Sequence, residues 1–235
     1  MSTTRLVVDR NLLRVGEVVV PAEVARHARV ARVASGEPIE LLDLAGGVGV
    51  GRLVAWDGKA CRVMVDAVEQ GRGEPPVPLV LGLAVLHTQA FDWAVEKATE
   101  LGATAIIPVL CERVQGGKLE RRVERWQRLA SAAVAQCGRS RAPRVADPLP
   151  LASLLDRAQG VRVVADPVLP APELPGPDKD GVTVLVGPEG GFTEAELASL
   201  RAAGFVGLRL GPRILRAETA AVAALAVVQA RLGWL

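Results

Sequence analysis

Two stretches of the sequence place glycine, proline and charged side chains at the end of an apolar run. The first, "VLVGPEGGFTEAEL" over residues 184–197, turns from a strand-like run into a helix start. The second, "RLGPRILRAETAAVAAL" over residues 209–225, repeats this arrangement. Glycines at such places let a ligand approach the backbone, because no Cβ blocks it. We therefore predict that the two stretches form two walls of one pocket.

The composition of these stretches limits the ligand. Neither matches GxxxxGK[ST] or GxGxxG, so a triphosphate or dinucleotide is disfavoured. Glu189 would repel phosphate and favours a cationic or hydroxyl-bearing ligand. Thr193 and Glu196 form a capping-box pattern, which points a helix N-terminus at the same crevice. An ordinary tight turn with capping residues remains the alternative for each stretch.

The chain after residue 78 alternates apolar runs with helical patterns. The predicted strands cover 79–86, 104–110, 161–165, 182–186 and 206–210, and the predicted helices 90–101, 120–137, 150–159, 193–203 and 217–232. Continuous apolar strands are covered on both faces, and this alternation is typical of a mostly parallel sheet wrapped by helices. Ligands in such α/β sheets bind at the carboxyl ends of strands, where both stretches lie.

The chain before residue 72 shows a different pattern of apolar and polar residues. Short alternating runs separated by turn residues are typical of a small all-β unit such as a barrel, with one helix at 21–32. The stretch "GRGEPPVP" at 71–78 is rich in glycine and proline, as expected of a linker. We predict two domains, residues 1–72 and residues 73–235.

Composition excludes several classes of protein. Tyrosine is absent and aromatics make up 3% of the chain, so base stacking is not a main binding device. The histidines, His27 and His87, lie in different predicted domains and no CxxC pair occurs, so no metal is expected. No signal-peptide pattern or long apolar run is present, and we expect a cytoplasmic protein with no membrane partner. We read the cysteines as reduced packing residues: Cys61, Cys111 and Cys137.

Positive charge is concentrated in one segment. The net charge is +2, yet residues 111–145 hold nine basic and three acidic side chains. Arginine suits phosphate contacts, and several arginines of this segment share one helical face. These are Arg121, Arg122, Arg125 and Arg128. A solvated helix face is the alternative interpretation.

The pair "LVGPEGGFTEAEL" and "LGPRILRAETAA" resembles the signature of the RsmE family of ribosomal RNA methyltransferases, within the SPOUT superfamily. Three further stretches resemble that family in the same order along the chain. They are "HARVARVASGEPIELLD", "VEKATELGATAIIPVLCER" and "ERWQRLASAAVAQCGRSRAPRV". The resemblance therefore covers nearly the whole chain.

The resemblance implies an α/β fold with a SPOUT-type parallel sheet and a C-terminal deep trefoil knot, preceded by a PUA-like β-barrel. It also implies a homodimer that uses S-adenosylmethionine to methylate N3 of a uridine, position 1498, in 16S rRNA of the small ribosomal subunit. Whether free RNA or the assembled subunit is the substrate stays open.

The same resemblance assigns residues to the site. The donor would contact three loops, with the residues Asp166, Pro167, Gly187, Pro188, Glu189, Gly190, Gly191, Leu210, Gly211, Ile214, Leu215 and Thr219. From the clustered positive charge we further predict that RNA phosphates contact Arg5, Arg10, Arg139 and Arg141, with Arg113 and Lys118 as additional candidates. The stretch at 87–89 departs from the family, since His, Thr and Gln stand where a basic residue is common.

The chemistry requires loss of the N3 proton of uracil, which leaves negative charge on O2 and O4. We expect Arg216 to stabilise that charge and Glu218 to act as the base, with Glu189 as the alternative base. The target base must leave its stack to reach the donor. Two rival hypotheses are a non-catalytic RNA-binding protein and a nucleotide-dependent ligase. The ligase would need a phosphate-binding lysine loop, which the sequence lacks.

Overall fold

The computed structural model describes residues 3–114, 120–166, 169–176 and 179–234. The chain forms two compact units. The first unit runs up to Glu74 and also includes Ser131–Ala142, and the second comprises Pro75–Ala130 and the chain from Pro143 onward. A single boundary near residue 72, as predicted from the sequence, would have put 131–142 in the second unit.

The second unit is built on a seven-stranded sheet in which every pairing is parallel. The strand order is β12-β10-β11-β6-β7-β8, and β9 also pairs with β7. The bounds are β6 Leu79–Ala84, β7 Ala105–Leu110, β8 Arg144–Val145, β9 Leu149–Pro150, β10 Val161–Ala165, β11 Val182–Val186 and β12 Val206–Gly207. The predicted parallel α/β sheet is confirmed.

The central strand β11 shows why the sheet is apolar on both faces. Val182, Val184 and Val186 belong to one core cluster, together with alternate residues of β6. Leu185 points to the opposite face and belongs to a second cluster. Thr183 is buried, and its hydroxyl donates a hydrogen bond to the Gln159 carbonyl at 3.1 Å. Alternation across a pleated strand thus divides the apolar side chains between two layers of helices.

Five helices accompany the sheet, and they agree closely with the predicted ranges. Their bounds are α2 Thr88–Glu100, α3 Glu120–Cys137, α4 Leu151–Arg157, α5 Glu194–Ala202 and α6 Ala217–Arg231. Helix α6 is Ala-rich, and its buried residues recur at a spacing of three and four residues, so they lie on one face of the helix. Its one buried polar side chain among the described residues, Gln229, is satisfied because its amide donates to the carbonyls of Leu101 and Leu225.

The first unit contains a five-stranded sheet in the order β1-β3-β4-β5-β2. The bounds are β1 Thr4–Val7, β2 Gly16–Val20, β3 Pro38–Leu42, β4 Gly47–Asp57 and β5 Ala60–Gln70, with helix α1 at Ala22–Val30. Strand β4 is irregular near Gly51, where a Cβ would lie 1.9 Å from the Met64 carbonyl oxygen. Only glycine fits there, so the sequence places the bulge.

Within the first unit, Glu74 accepts hydrogen bonds from polar groups of segment 131–142. The Glu74 carboxylate accepts hydrogen bonds from the Arg139 guanidinium at 2.6 Å, from the Ser140 amide and hydroxyl, and from the Arg141 amide. Arg139 is 4% exposed. Its charge is therefore neutralised inside the unit, and the structure does not offer Arg139 to an RNA phosphate as predicted.

Candidate functional site

Three neighbouring parallel strands end at one edge of the second unit's sheet. Asp166 follows β10, Gly187 follows β11, and Leu208 follows β12. Hydrogen bonds hold the edge together, since the Leu208 amide donates to the Val164 carbonyl at 2.8 Å and the Gly207 amide to Pro170 at 2.7 Å. The carboxyl edge is where ligands bind in sheets of this class.

A cavity of about 210 Å³ opens at this edge. It lies between the end of β10 and the segment from Leu208 to Leu215. Leucine and isoleucine side chains supply apolar walls, and the carboxyl group of Asp166, which is 9% exposed, adds one buried polar group. The lining residues are Ala165, Asp166, Leu208, Arg209, Leu210, Gly211, Pro212, Arg213, Ile214, Leu215 and Ala220.

Five predicted donor-site residues line this cavity, namely Asp166, Leu210, Gly211, Ile214 and Leu215. Thr219 and the five residues from Gly187 to Gly191 do not line it. Pro167 falls outside the described residues. The predicted donor loop spanned Leu210 to Leu215 and so included Arg213, but it left out Arg209, whose charge next to "LGP" in the sequence was a signal that could have included it.

The loop from Gly187 to Gly191 is closed at one end and open at the other. A Cβ on Gly187 would lie 2.7 Å from the ring of Phe192, a buried core residue. Gly191 has a φ of +69° and nothing within 4 Å of its Cβ position. The Gly191 amide donates to the Pro188 carbonyl at 2.8 Å, which closes the turn. The open end of the loop leaves backbone accessible, but the loop does not line the cavity, so the structure does not show the two stretches as two walls of one pocket.

The predicted capping box at the start of α5 is confirmed. The Thr193 hydroxyl accepts a hydrogen bond from the Glu196 amide, and the Glu196 carboxylate accepts one from the Thr193 amide at 2.8 Å. Both side chains also contact Glu112, just past β7. The Thr193 hydroxyl donates to the Glu112 carboxylate at 3.1 Å, and the Glu112 amide donates to Glu196 at 2.8 Å.

The two predicted catalytic residues lie at the start of α6. Arg216 is the N-cap residue, is exposed, and follows directly on the cavity-lining Leu215. Glu218 lies in the first turn, and its Oε2 is buried without a hydrogen-bond partner in the described part of the chain. A buried carboxylate oxygen that lacks a hydrogen-bond donor is unusual in a folded protein.

The predicted RNA-contacting residues differ in their availability. Arg10 and Arg141 are exposed, and the Arg10 guanidinium lies 3.9 Å from the Asp43 carboxylate. Arg5 is engaged by Glu40 at 2.8 Å and by two carbonyls of segment 131–142. Arg113 contacts the glycine loop. Lys118 lies outside the described residues.

The pKa values of Glu40, in the first unit, and Cys111, in the second, differ from those of the free side chains. Burial would raise the pKa of Glu40, but hydrogen bonds and charge from Arg72 and Arg5 outweigh it and hold this pKa below its usual value. Burial, with a smaller contribution from Glu196, raises the pKa of the Cys111 thiol to about 12. Cys111 is therefore protonated at neutral pH and serves packing, as predicted.

The described residues contain no group of three or more His, Cys, Asp or Glu side chains arranged to hold a metal ion. Within the same part of the chain, no helix combines the length and apolar character that a membrane crossing requires.

Comparison with known proteins fits this geometry. A family model described as an RNA methyltransferase domain matches residues 73–229. The ribosomal RNA small subunit methyltransferase E of Synechocystis is 34% identical over 212 residues, covering 87% of this chain and 69% of the relative. That of Bacillus subtilis is 32% identical over 190 residues, covering 74% and 73%.

A solved structure extends the likeness to the fold. The ribosomal RNA small subunit methyltransferase E from Neisseria gonorrhoeae, bound to S-adenosyl methionine, superposes with a TM-score of 0.86 at 31% identity. The match covers 97% of this chain and 98% of the other.

The fold and the strand-end cavity thus define an RNA methyltransferase domain. More narrowly, the chain belongs to the ribosomal RNA small subunit methyltransferase E family, which confirms the resemblance found in the sequence.

Proposed function

We propose that this protein transfers a methyl group from S-adenosylmethionine to N3 of a uridine in 16S rRNA of the small ribosomal subunit, at position 1498 by family resemblance. The observation that carries the proposal is the cavity at the carboxyl edge of the sheet, lined by the downstream half of the family signature. The relative from Neisseria gonorrhoeae binds this donor on the same fold.

The residues at the cavity fit such a donor. Its adenine ring and methylene groups need apolar contact, which Leu208, Leu210 and Ile214 supply. Its sulfonium and ammonium groups are cationic, which suits the buried carboxyl group of Asp166. Gly211 has a φ of +105° and, apart from the tip of Arg213 at 4.0 Å, open space at its Cβ position, so backbone is accessible there. When bound, S-adenosylmethionine supplies an electrophilic methyl group.

The protein's own residues must prepare uracil N3. The exposed guanidinium of Arg216 is available to stabilise negative charge on O2 or O4 as the N3 proton leaves. The Oε2 atom of Glu218 is the acceptor for that proton. We favour Glu218 over Glu189 as the base because this oxygen is buried without a hydrogen-bond partner among the described residues, whereas Glu189 is exposed. Both side chains leave the first residues of α6, next to the cavity wall.

We extend the proposal to the fold and assembly that the family implies. The five-stranded sheet of the first unit would be the PUA-like barrel, and the segment from β12 into α6 would form the trefoil knot. The active form would be a cytoplasmic homodimer. RNA phosphates would contact Arg10, Arg141 and the basic face of α3.

The test is methyl incorporation from labelled S-adenosylmethionine into small subunits that lack the modification, followed by nucleoside mapping. The expected product is N3-methyluridine at one position. Arg216→Ala should abolish transfer while donor affinity stays within a few-fold, and Arg201→Met, an exposed arginine on α5, serves as the control. Methyl groups on ribose, or wild-type turnover by Arg216→Ala, would contradict the proposal.

A further inference from the structure

Arg113 makes an unexpected contact with the glycine loop. It follows β7 by three residues and was predicted to contact RNA. Its Nη1 lies 2.6 Å from the Gly190 carbonyl oxygen and 3.5 Å from that of Phe192. Its aliphatic stem lies flat on Gly190, since a Cβ there would be 3.4 Å from the arginine Cδ. The aliphatic part of the Arg113 side chain therefore packs against the loop, while its guanidinium donates hydrogen bonds to loop carbonyls.

With this contact, both polar groups of one peptide in the loop are hydrogen-bonded. The peptide between Gly190 and Gly191 has its carbonyl bound by Arg113 and its N–H bound by the Pro188 carbonyl at 2.8 Å. No other peptide in the loop is flanked by two glycines. Without Cβ atoms on either side, such a peptide rotates at little steric cost, so it depends on its hydrogen bonds for a single orientation.

Neighbouring contacts anchor Arg113 itself. The adjacent Glu112 makes two hydrogen bonds to the N-terminal cap of α5. Its amide donates to the Glu196 carboxylate, and its carboxylate accepts from the Thr193 hydroxyl. In the sheet, β6 lies between β7 and β11, so this connection spans one strand at the carboxyl edge. The end of β7 thus acts as a rigid support for the loop after β11.

We propose that Arg113 is a positioning residue for the methyl donor: it holds the Gly190–Gly191 peptide in the orientation that the donor requires. This inference rests on the proposed function and adds to it that the glycine loop, which the family resemblance assigns to the donor site, also contacts S-adenosylmethionine. It replaces the role in phosphate binding that the sequence suggested for Arg113. A charged donor to a carbonyl is stronger than a neutral one, which explains why arginine stands at this exposed place.

The experiment compares Arg113→Met, Arg113→Lys and the control Arg201→Met, which removes an exposed arginine from the same unit. Donor affinity is measured by calorimetry with S-adenosylmethionine, RNA affinity by titration with a 16S rRNA fragment at several salt concentrations, and turnover at saturating donor. Arg113→Met should weaken donor binding about five- to tenfold, the scale of one partly exposed charged hydrogen bond. Its KM for the donor should rise more than its kcat falls.

Two further results separate positioning from the alternatives. Arg113→Lys should recover part of the donor affinity, because an ammonium can reach the Gly190 carbonyl with a single bond. RNA affinity and its salt dependence should be unchanged in Arg113→Met. If instead donor affinity were unchanged and RNA affinity fell with a shallower salt slope, Arg113 would be a phosphate contact and the inference would be overturned. Loss of thermal stability alone, with normal donor affinity in the folded protein, would also overturn it.

Failure of the proposed function would look different. In that case wild-type protein and Arg201→Met would themselves fail to bind S-adenosylmethionine. Normal binding in both, with no specific effect at Arg113, would reject only the positioning role.

Discussion

Replacing Gly187 by alanine should destabilise the second unit through one identifiable collision. The added Cβ would lie 2.7, 2.9 and 3.1 Å from three ring atoms of Phe192. That ring is 7% exposed and belongs to the core cluster that includes Leu185 and Leu197, so it cannot swing into solvent without opening the core. Overpacking of this kind costs about 1–3 kcal/mol.

The magnitude converts to a measurable shift. For a unit of roughly 150 residues, a loss of about 2 kcal/mol lowers Tm by about 4–8 °C. Thermal and urea unfolding followed by circular dichroism would measure it. The matched control is Gly190→Ala in the same loop, where the Cβ meets Arg113 only at 3.4 Å and φ is not positive. Its free energy of unfolding should be unchanged or higher by up to about 1 kcal/mol.

A double variant tests the assigned cause. Phe192→Leu removes the ring atoms that Gly187→Ala would strike, so the two substitutions together should cost less than the sum of each alone. Strict additivity, or a stable Gly187→Ala protein, would refute the reasoning that the ring and not the backbone requires glycine at this position.

The remaining predictions concern charges and thiols. Glu40→Gln should lower stability by about 1–3 kcal/mol at pH 7. Because the folded pKa of Glu40 lies below its unfolded value of 4.5, this contribution is present above pH 4.5 and is lost as pH falls through the folded pKa, so the two proteins should converge in acid unfolding curves. Arg139→Met should cost about 3 kcal/mol by removing the buried positive charge that pairs with the Glu74 carboxylate, yet leave the RNA affinity of folded protein unchanged; weaker RNA binding would restore its predicted role. A thiol reagent at pH 8 should label the partly exposed Cys137 first and Cys111 only on unfolding; early labelling of Cys111 would contradict its burial.

The strands that carry the site were predictable because burial on both faces leaves continuous apolar runs. The ranges 161–165 and 182–186 were predicted as β10 and β11 have them. Strand β12 is shorter than predicted and ends at Gly207, whose amide donates to the Pro170 carbonyl. The two-residue strands β8 and β9 were missed, because two residues are too few to show a periodicity.

Side-chain partners were less accessible to sequence reasoning. The basic residues of 111–145 share one charge pattern, but the structure separates Arg139, buried against Glu74, from Arg113, bound to a loop carbonyl. Each partner lies at least 65 residues away along the chain. Charge counts and helical spacing show which side chains are neighbours within one helix. They do not show pairings such as these, which depend on how distant parts of the chain pack together.

We propose that S-adenosylmethionine binds in the cavity between the end of β10 and the segment 208–215. Calorimetric titration of the donor into wild-type protein and into Ala165→Leu, which fills the cavity wall, tests it most directly. We expect one donor molecule to bind per wild-type chain, and donor binding to be at least tenfold weaker in the variant. No binding to wild type, or equal affinity in the two folded proteins, would contradict it.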